Sequence, residues 1–220
     1  MSVIISSIKT EEPLVALTFD DGPDETYTPL LLDVLDHESA PATFFIRGSA
    51  LNPETRKIVA RIDGAGHDVG NHTHHHWNLA GMDAATIHEE IARTHYELEQ
   101  ITSTAPTLLR PPYGLGPVEV NAVAERDGYR ATVLWSIYAA DWTAPQPPAD
   151  TIIERVLNGY DIYGGVGPGG IVLLHDGCAP EQAGESRMES VEATRKLVPA
   201  LRAAGFRLVT VSELLDAGKP

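Results

Sequence analysis

The sequence predicts an α/β fold, a parallel sheet crossed by helices, and three observations predict it. Short apolar runs of strand length alternate with segments of helical period about seven times. The 19 Gly and 16 Pro punctuate these changeovers, yet no repeat, low-complexity tract or linker divides the chain, so residues 1–220 read as one domain. The polar residues of catalytic type fall at the ends of the apolar runs, and in a parallel fold those ends share one rim. Periodicity alone leaves open whether the sheet is doubly wound or closed as a barrel.

Along the chain, Leu14 to Phe19 is the first strand and ends at Asp20 and Asp21. Pro29 to Leu35 reads as a helix with Thr28 as candidate cap, then Ala42 to Ile46 as a strand. Pro53 to Ile62 is a helix after Asn52, with proline at the first helical position, where its missing N–H costs nothing. The strand Asp68 to Asn71 runs into His72, and Ala84 to Ile101 after Asp83 carries Ile87, Ile91, Leu98 and Ile101 on one face. Thr107 to Leu109 is a strand ending at Arg110, followed by a helix over Pro117 to Arg126 and a strand over Ala131 to Trp135. A helix over Ala149 to Leu157 precedes the strand Ile171 to Leu174, which ends at His175 and Asp176. Met188 to Ala204 puts Val191, Leu197, Val198 and Leu201 on one helical face and stops at Gly205, before a last strand over Arg207 to Val211.

Composition narrows the partners. A formal net charge of −15 without a basic block excludes nucleic acid and anionic membrane surfaces, which rely on basic patches. No apolar run has the roughly 20 residues of a membrane span, so membrane insertion is not expected. Met1 to Glu12 lacks the regions of a signal peptide, which predicts a cytoplasmic protein as the sequence is written and a secreted one if a signal has been removed. The single cysteine, Cys178, rules out an internal disulfide. Oligomeric state is not legible. Aromatics are only 6%, too few for a long stacking platform, though Trp77, Tyr113, Trp142, Tyr160 and Tyr163 suit one or a few sugars.

Five short motifs carry the chemistry. Thr18-Phe19-Asp20-Asp21-Gly22-Pro23-Asp24 runs a strand into adjacent carboxylates; these are ordinary turn residues, but in a cleft the pair repels unless a cation neutralises one and leaves the other as a base. Asn71-His72-Thr73-His74-His75-His76-Trp77-Asn78 holds four histidines in five positions, of which His72 and His76 are spaced to bring both rings to one side of a turn. A solvated histidine tract is the plain alternative. With Asp21 as third ligand the set becomes two imidazoles, one carboxylate and an open position, the pattern of a catalytic metal. His74 and His75 are assigned nothing.

Arg110-Pro111-Pro112-Tyr113-Gly114 is a stiff turn able to hold an arginine against a carboxylate and to present the Tyr113 N–H to a developing oxyanion. In Trp135 to Trp142 the lone acid Asp141 is either a turn residue or the partner of a histidine whose pKa it raises. His175, after the buried run Ile171 to Leu174, is the histidine placed to be that partner and a general acid.

Assembled in this order, the motifs resemble the NodB-homology polysaccharide deacetylases, carbohydrate esterase family 4, over Thr18 to Asp176, and Gly205 to Val211 is family-like as well. The resemblance implies a distorted (β/α) barrel of about seven parallel strands. It implies Asp20 as general base, Asp21, His72 and His76 as ligands of a divalent metal, usually zinc, and Arg110 as the brace of the base. It further implies Tyr113 in the oxyanion hole, Asp141 tuning the acid His175, and Trp142 and Leu173 lining an acetyl pocket. The implied reaction is metal-dependent hydrolysis of N-acetyl groups on N-acetylglucosamine-containing glycans, chito-oligosaccharide or peptidoglycan, releasing acetate. O-acetyl ester hydrolysis on xylan, deacetylation of a small metabolite and a silent carbohydrate-binding module are the rival readings. Two features depart from the family pattern: Tyr138 stands where a related motif often has an acid, and the Gly- and Tyr-rich segment 158–170 is read as a mobile rim loop over the cleft.

Overall fold

The computed structural model describes residues 2–219. The strands are β1 (Val3–Ile5), β2 (Leu14–Asp20), β3 (Thr43–Ile46), β4 (Asp68–Asn71), β5 (Leu108–Leu109), β6 (Ala131–Val133), β7 (Ile137–Tyr138), β8 (Gly159–Tyr160), β9 (Tyr163–Gly164), β10 (Gly170–His175) and β11 (Arg207–Leu208). The helices are α1 (Tyr27–Glu38), α2 (Pro53–Gly64), α3 (Ala84–Glu99), α4 (Pro117–Arg126), α5 (Ala149–Asn158), α6 (Met188–Ala203) and α7 (Val211–Ala217).

The main sheet is parallel throughout, in the order β1-β6-β5-β4-β3-β2-β10-β7, with β11 beside the first residues of β2. β6 pairs β5 while β7, four residues on, pairs β10, so the single segment 131–138 joins both ends of the curled sheet. The Ser136 N–H donates to the Ile171 carbonyl and the Leu134 N–H to that of Ile5, which carries the closure across the gap. This is the distorted barrel expected from the sequence, and each of the seven apolar runs contributes a strand to it.

Strand alternation decides what the interior holds. Along β2, Val15, Leu17 and Phe19 point outward into the core under α1, α5 and α6, while Leu14 and Ala16 belong to the inner core with Phe45, Val133 and Ile171. A period of two therefore puts Thr18 and Asp20 on the inner face. The same count along β10 puts Val172 and Leu174 outside and Ile171, Leu173 and His175 inside. The barrel is apolar at its base and polar at the strand C-termini, and every residue of β2 and β10 is buried, as befits central parallel strands.

Four local readings are corrected. Helix α1 begins at Tyr27, and Thr28 lies inside it rather than capping it: Asp24 Oδ1 accepts the N–H of Thr26 and Tyr27, and the Thr28 hydroxyl is spent on Asp176. The last strand stops at Leu208, because Thr210 and Glu213 form a capping box that starts α7. Strand β1 is added at the sheet edge. Segment 158–170, read as a mobile rim loop over the cleft, contains the antiparallel hairpin β8–β9, and its tip does stand at the mouth of the barrel.

Candidate active site

Asp20 is the last residue of β2 and His175 the last of β10, and the two are register partners on the inner face. Arg110 follows β5 and is fully buried. Its guanidinium donates from one terminal nitrogen to Asp20 Oδ1 at 2.7 Å and to Thr18 Oγ1 at 2.8 Å, and from its other nitrogens to the carbonyls of Val133 and Leu134, both at 3.1 Å. The cation also lies 4.1 Å over the Phe45 ring. Four directed bonds and a stacked face fix the arginine, which fixes one oxygen of Asp20. Burial raises the Asp20 pKa above the ordinary carboxylate value, with Arg110 and His175 only partly opposing it, so the group is more basic than a solvated aspartate.

The next residue, Asp21, has φ of 73°, a left-handed turn that swings its carboxylate away from the strand direction. The turn is tight: a Cβ on Gly22 would run into the buried Asp176 carboxylate, which would have to shift to make room. His72 leaves β4, and residues 72–78 form a tight loop with positive φ at Thr73 and His76. The Asn71 side chain, held by the Ile91 carbonyl and the Tyr129 hydroxyl, accepts the Thr73 N–H. The Gly48 and Ser49 N–H groups donate to the carbonyls of Thr73 and His74.

This loop brings His76 Nε2 to 3.1 Å and His72 Nε2 to 3.6 Å from Asp21 Oδ1, and the ligand atoms of all three residues lie within 4.8 Å of one another. The donor set fits a divalent metal on the chain's own chemistry. Asp21 Oδ1 is buried with no hydrogen bond among the described residues, an arrangement that asks for a cation. His72 Nδ1 lies 2.8 Å from the Arg110 carbonyl, which assigns the proton to Nδ1 and leaves the Nε2 lone pair toward Asp21. Burial, reinforced by His76, takes His72 down to about 3, so its imidazole is neutral as a ligand must be.

Asp141 is fully buried and spends three acceptor positions: its Oδ1 lies 2.8 Å from His175 Nδ1, and its Oδ2 accepts from the His175 N–H at 2.9 Å and the Ser190 hydroxyl at 2.6 Å. Burial disfavours charge on both partners, but the pair outweighs it: His175 is held above its ordinary value and Asp141 below. Sequence reading missed Ser190, which sits on the buried face of α6 with nothing in its neighbours to mark it.

Asp20, Asp21, His72, His76 and His175 line a cleft of about 380 Å³ that is also walled by Trp142, Leu173, Tyr138 and the hairpin tip Asp161, Ile162 and Tyr163. Tyr113 has φ of 60° in the turn after Arg110, and its hydroxyl donates to Glu181 at 2.7 Å across the rim. Burial and the Glu181 carboxylate push that phenol up to about 12. Trp142 donates from its indole to the Tyr138 hydroxyl at 2.9 Å, which holds the tryptophan at the rim. Asp20, Asp21, His72, His76, Tyr113, Trp142, Leu173 and His175 line this one cleft, while Arg110 and Asp141 are buried behind its wall, bonded to Asp20 and His175. His74 lies apart; it is packed against Gly48 and Thr94, and burial takes it down to about 4.

A profile for the family described as polysaccharide deacetylase matches residues 7–132. A chitooligosaccharide deacetylase of Sinorhizobium fredii is 35% identical over 202 residues, 90% of this chain and 89% of that protein. A peptidoglycan-N-acetylglucosamine deacetylase of Bacillus cereus is 37% identical over 212 residues, 94% of this chain and 91% of that protein. Among solved structures, a peptidoglycan N-acetylglucosamine deacetylase bound to a naphthyl N-hydroxybenzamide superposes with a TM-score of 0.86 at 33% identity, covering 99% of this chain and 94% of that one. No helix among the described residues is long and apolar enough to cross a membrane.

Proposed function

The chain belongs to the polysaccharide deacetylase family, carbohydrate esterase family 4, and on that premise we propose that it is a metal-dependent hydrolase of N-acetyl groups on N-acetylglucosamine-containing glycans, chito-oligosaccharide or peptidoglycan. Acetate and a free amino sugar are the products. Residues 1–220 act as one catalytic domain. The observation that carries the reading is the adjacency of a buried carboxylate braced by arginine, a His-His-Asp donor set and a carboxylate-backed histidine in one cleft.

Asp21, His72 and His76 would hold the metal, and zinc is the ion best suited to two imidazoles and one carboxylate. A divalent ion there would supply Lewis acidity, lowering the pKa of water towards neutrality and polarising a carbonyl. Asp20 accepts the proton of the attacking water on the oxygen that Arg110 leaves free. Trp142 and Leu173 enclose the acetyl methyl, and the Tyr113 N–H donates to the acetyl oxygen as charge develops on it. His175, protonated at its cleft-facing nitrogen because Asp141 holds the other, gives that proton to the leaving nitrogen. An amine leaves only once protonated, so the raised His175 pKa serves an amide substrate.

Acetate release from N-acetylglucosamine oligomers, acetylated xylan and N-acetylglucosamine itself, measured side by side, tests the substrate class. Release from the oligomers above the other two is expected. Release from xylan alone would make the protein an esterase, and release only from the monosaccharide would make it a small-molecule deacetylase.

A further inference from the structure

The two imidazoles of the donor set are held differently. His72 Nδ1 meets the Arg110 carbonyl at 2.8 Å, the outer contact that a metal-ligating histidine ordinarily makes with its second nitrogen. His76 Nδ1 is buried and has no hydrogen-bond partner among the described residues. Its ring meets that of Tyr113 edge-on, with centroids 4.7 Å apart, a contact that does not replace a directed acceptor. His76 also sits at φ of 64°, a left-handed conformation that a residue with a Cβ keeps only where its surroundings impose it. The direction of its Nε2 must therefore be set through the backbone.

The preceding residue carries that constraint. Helix α3 buries Ile87, Glu90, Ile91, Thr94 and Leu98 on one stripe, so a carboxylate occupies a position that the helical period reserves for apolar side chains. A buried carboxylate is costly unless its oxygens are satisfied, and both oxygens of Glu90 go to His75. Oε2 accepts the His75 N–H at 2.8 Å, and Oε1 lies 2.5 Å from His75 Nδ1. The His75 ring is packed in turn against Trp77, with centroids 4.5 Å apart and planes 14° from parallel. One residue along the helix, the Ile91 carbonyl accepts from the Asn71 amide, whose oxygen accepts the Thr73 N–H. Helix α3 thus grips the ligand loop on both sides of His74, and the grip next to His76 is Glu90.

We propose that Glu90 is a positioning residue of the metal centre: by clamping both the backbone and the ring of His75, it aims the His76 imidazole at the ion and does the work that an acceptor on Nδ1 does for His72. The inference rests on the reading of Asp21, His72 and His76 as metal ligands. Glu90 is not part of the cleft wall and acts only through the loop. Its removal lets His76 relax towards an ordinary backbone conformation, which withdraws one ligand of the three and leaves Asp20, Asp141 and His175 in place.

The test measures zinc affinity, by competition with a chromophoric chelator on the metal-stripped chain, beside the Tm of the metal-free protein. Glu90→Ala should weaken zinc binding about 10- to 100-fold, the range that loss of an outer contact to a ligand produces. Glu90→Gln, whose amide keeps one oxygen for the His75 N–H, should lose a smaller part. Ile87→Ala, in the apolar cluster between α3 and α4, is the control: it should lower Tm and leave zinc affinity at the parental value. A Glu90→Ala protein that behaves like this control, less stable but with parental affinity, would overturn the proposal. Should the alanine variant fail to fold, parental affinity in Glu90→Gln would overturn it equally. A parent chain that takes up no zinc would sink the metal site itself, whereas parental uptake with unchanged affinity in the Glu90 variants would sink only the role of Glu90.

Discussion

Asp141→Asn is the perturbation that separates tuning of the acid from mere packing. In the parent protein, burial pulls His175 down and the Asp141 carboxylate more than compensates, at 2.8 Å from Nδ1. Asparagine keeps an oxygen for that contact but removes the charge, and its NH₂ can no longer accept from both the His175 N–H and the Ser190 hydroxyl. An opposite charge this close is worth about 1–3 pKa units, and burial is then left unopposed, so the pKa of the histidine should fall. Each unit removes about tenfold of the protonated acid at pH 8, which predicts a loss of roughly 10- to 10³-fold in kcat/KM there and convergence towards the parent near pH 5. The assay is the pH profile of kcat/KM on an N-acetyl oligomer beside an aryl acetate, whose leaving group needs no proton. The alkaline limb should move to lower pH for the amide, and the aryl ester should change little. An unmoved limb, or equal losses on both substrates at every pH, would refute the reasoning. Stability carries the same sign: a histidine with a raised pKa stabilises fully below its unfolded value and loses that contribution as pH rises through the folded value. The Tm gap between parent and Asp141→Asn should therefore shrink from pH 6 to pH 9.

Three further outcomes follow from the same geometry. Arg110→Lys cannot reproduce four bonds and a stacked plane, and Arg110→Met leaves Asp20 without its partner; denaturant unfolding should show a loss of about 3–5 kcal/mol for the methionine variant. Asp176 is a buried carboxyl pushed up to about 7 by burial, with Asp21 and Asp20 adding to the effect and the Thr28 hydroxyl opposing it. Its unfolded form ionises near the ordinary value, so the metal-free protein should lose stability relative to Asp176→Asn as pH rises from about 4 to about 7, by roughly 1.4 kcal/mol per unit, readable as diverging Tm values. His72→Ala should abolish stoichiometric zinc binding, measured by metal analysis after dialysis, while leaving the far-ultraviolet circular dichroism of the fold in place.

How much of this was legible in the sequence follows from how locally each feature is encoded. Leu14 to Phe19 and Ile171 to Leu174 read correctly because strands buried on both faces must be continuously apolar. Strand β1 escaped because three residues are too few to carry a periodic signal, and β7 because its two residues follow the apolar run Ala131 to Trp135 with only Ser136 between. The start of α7 was in principle readable, since Thr210 and Glu213 have the capping-box spacing, but Val209 and Val211 on either side of the cap read more strongly as strand. At the site, Asp20, Asp21, Arg110 and His175 stand out because a charged residue ending an apolar run is uncommon. Ser190 and the Glu90–His75–Trp77 group did not, because Ser190 and Glu90 lie on helices whose buried faces look the same in sequence whether they hold a core or brace a site.

The central claim, that Asp20 and the Asp21–His72–His76 donor set act together, is tested most directly by acetate release from an N-acetylglucosamine oligomer by chelator-stripped protein. Zinc is added back in steps, and Asp20→Asn is treated in parallel. The account predicts no release without metal, recovery that saturates at one zinc per chain, and an Asp20→Asn protein that binds the same single zinc yet releases acetate at least about 10²-fold more slowly. Full activity in the stripped protein, or an Asp20→Asn protein as fast as the parent, would contradict it.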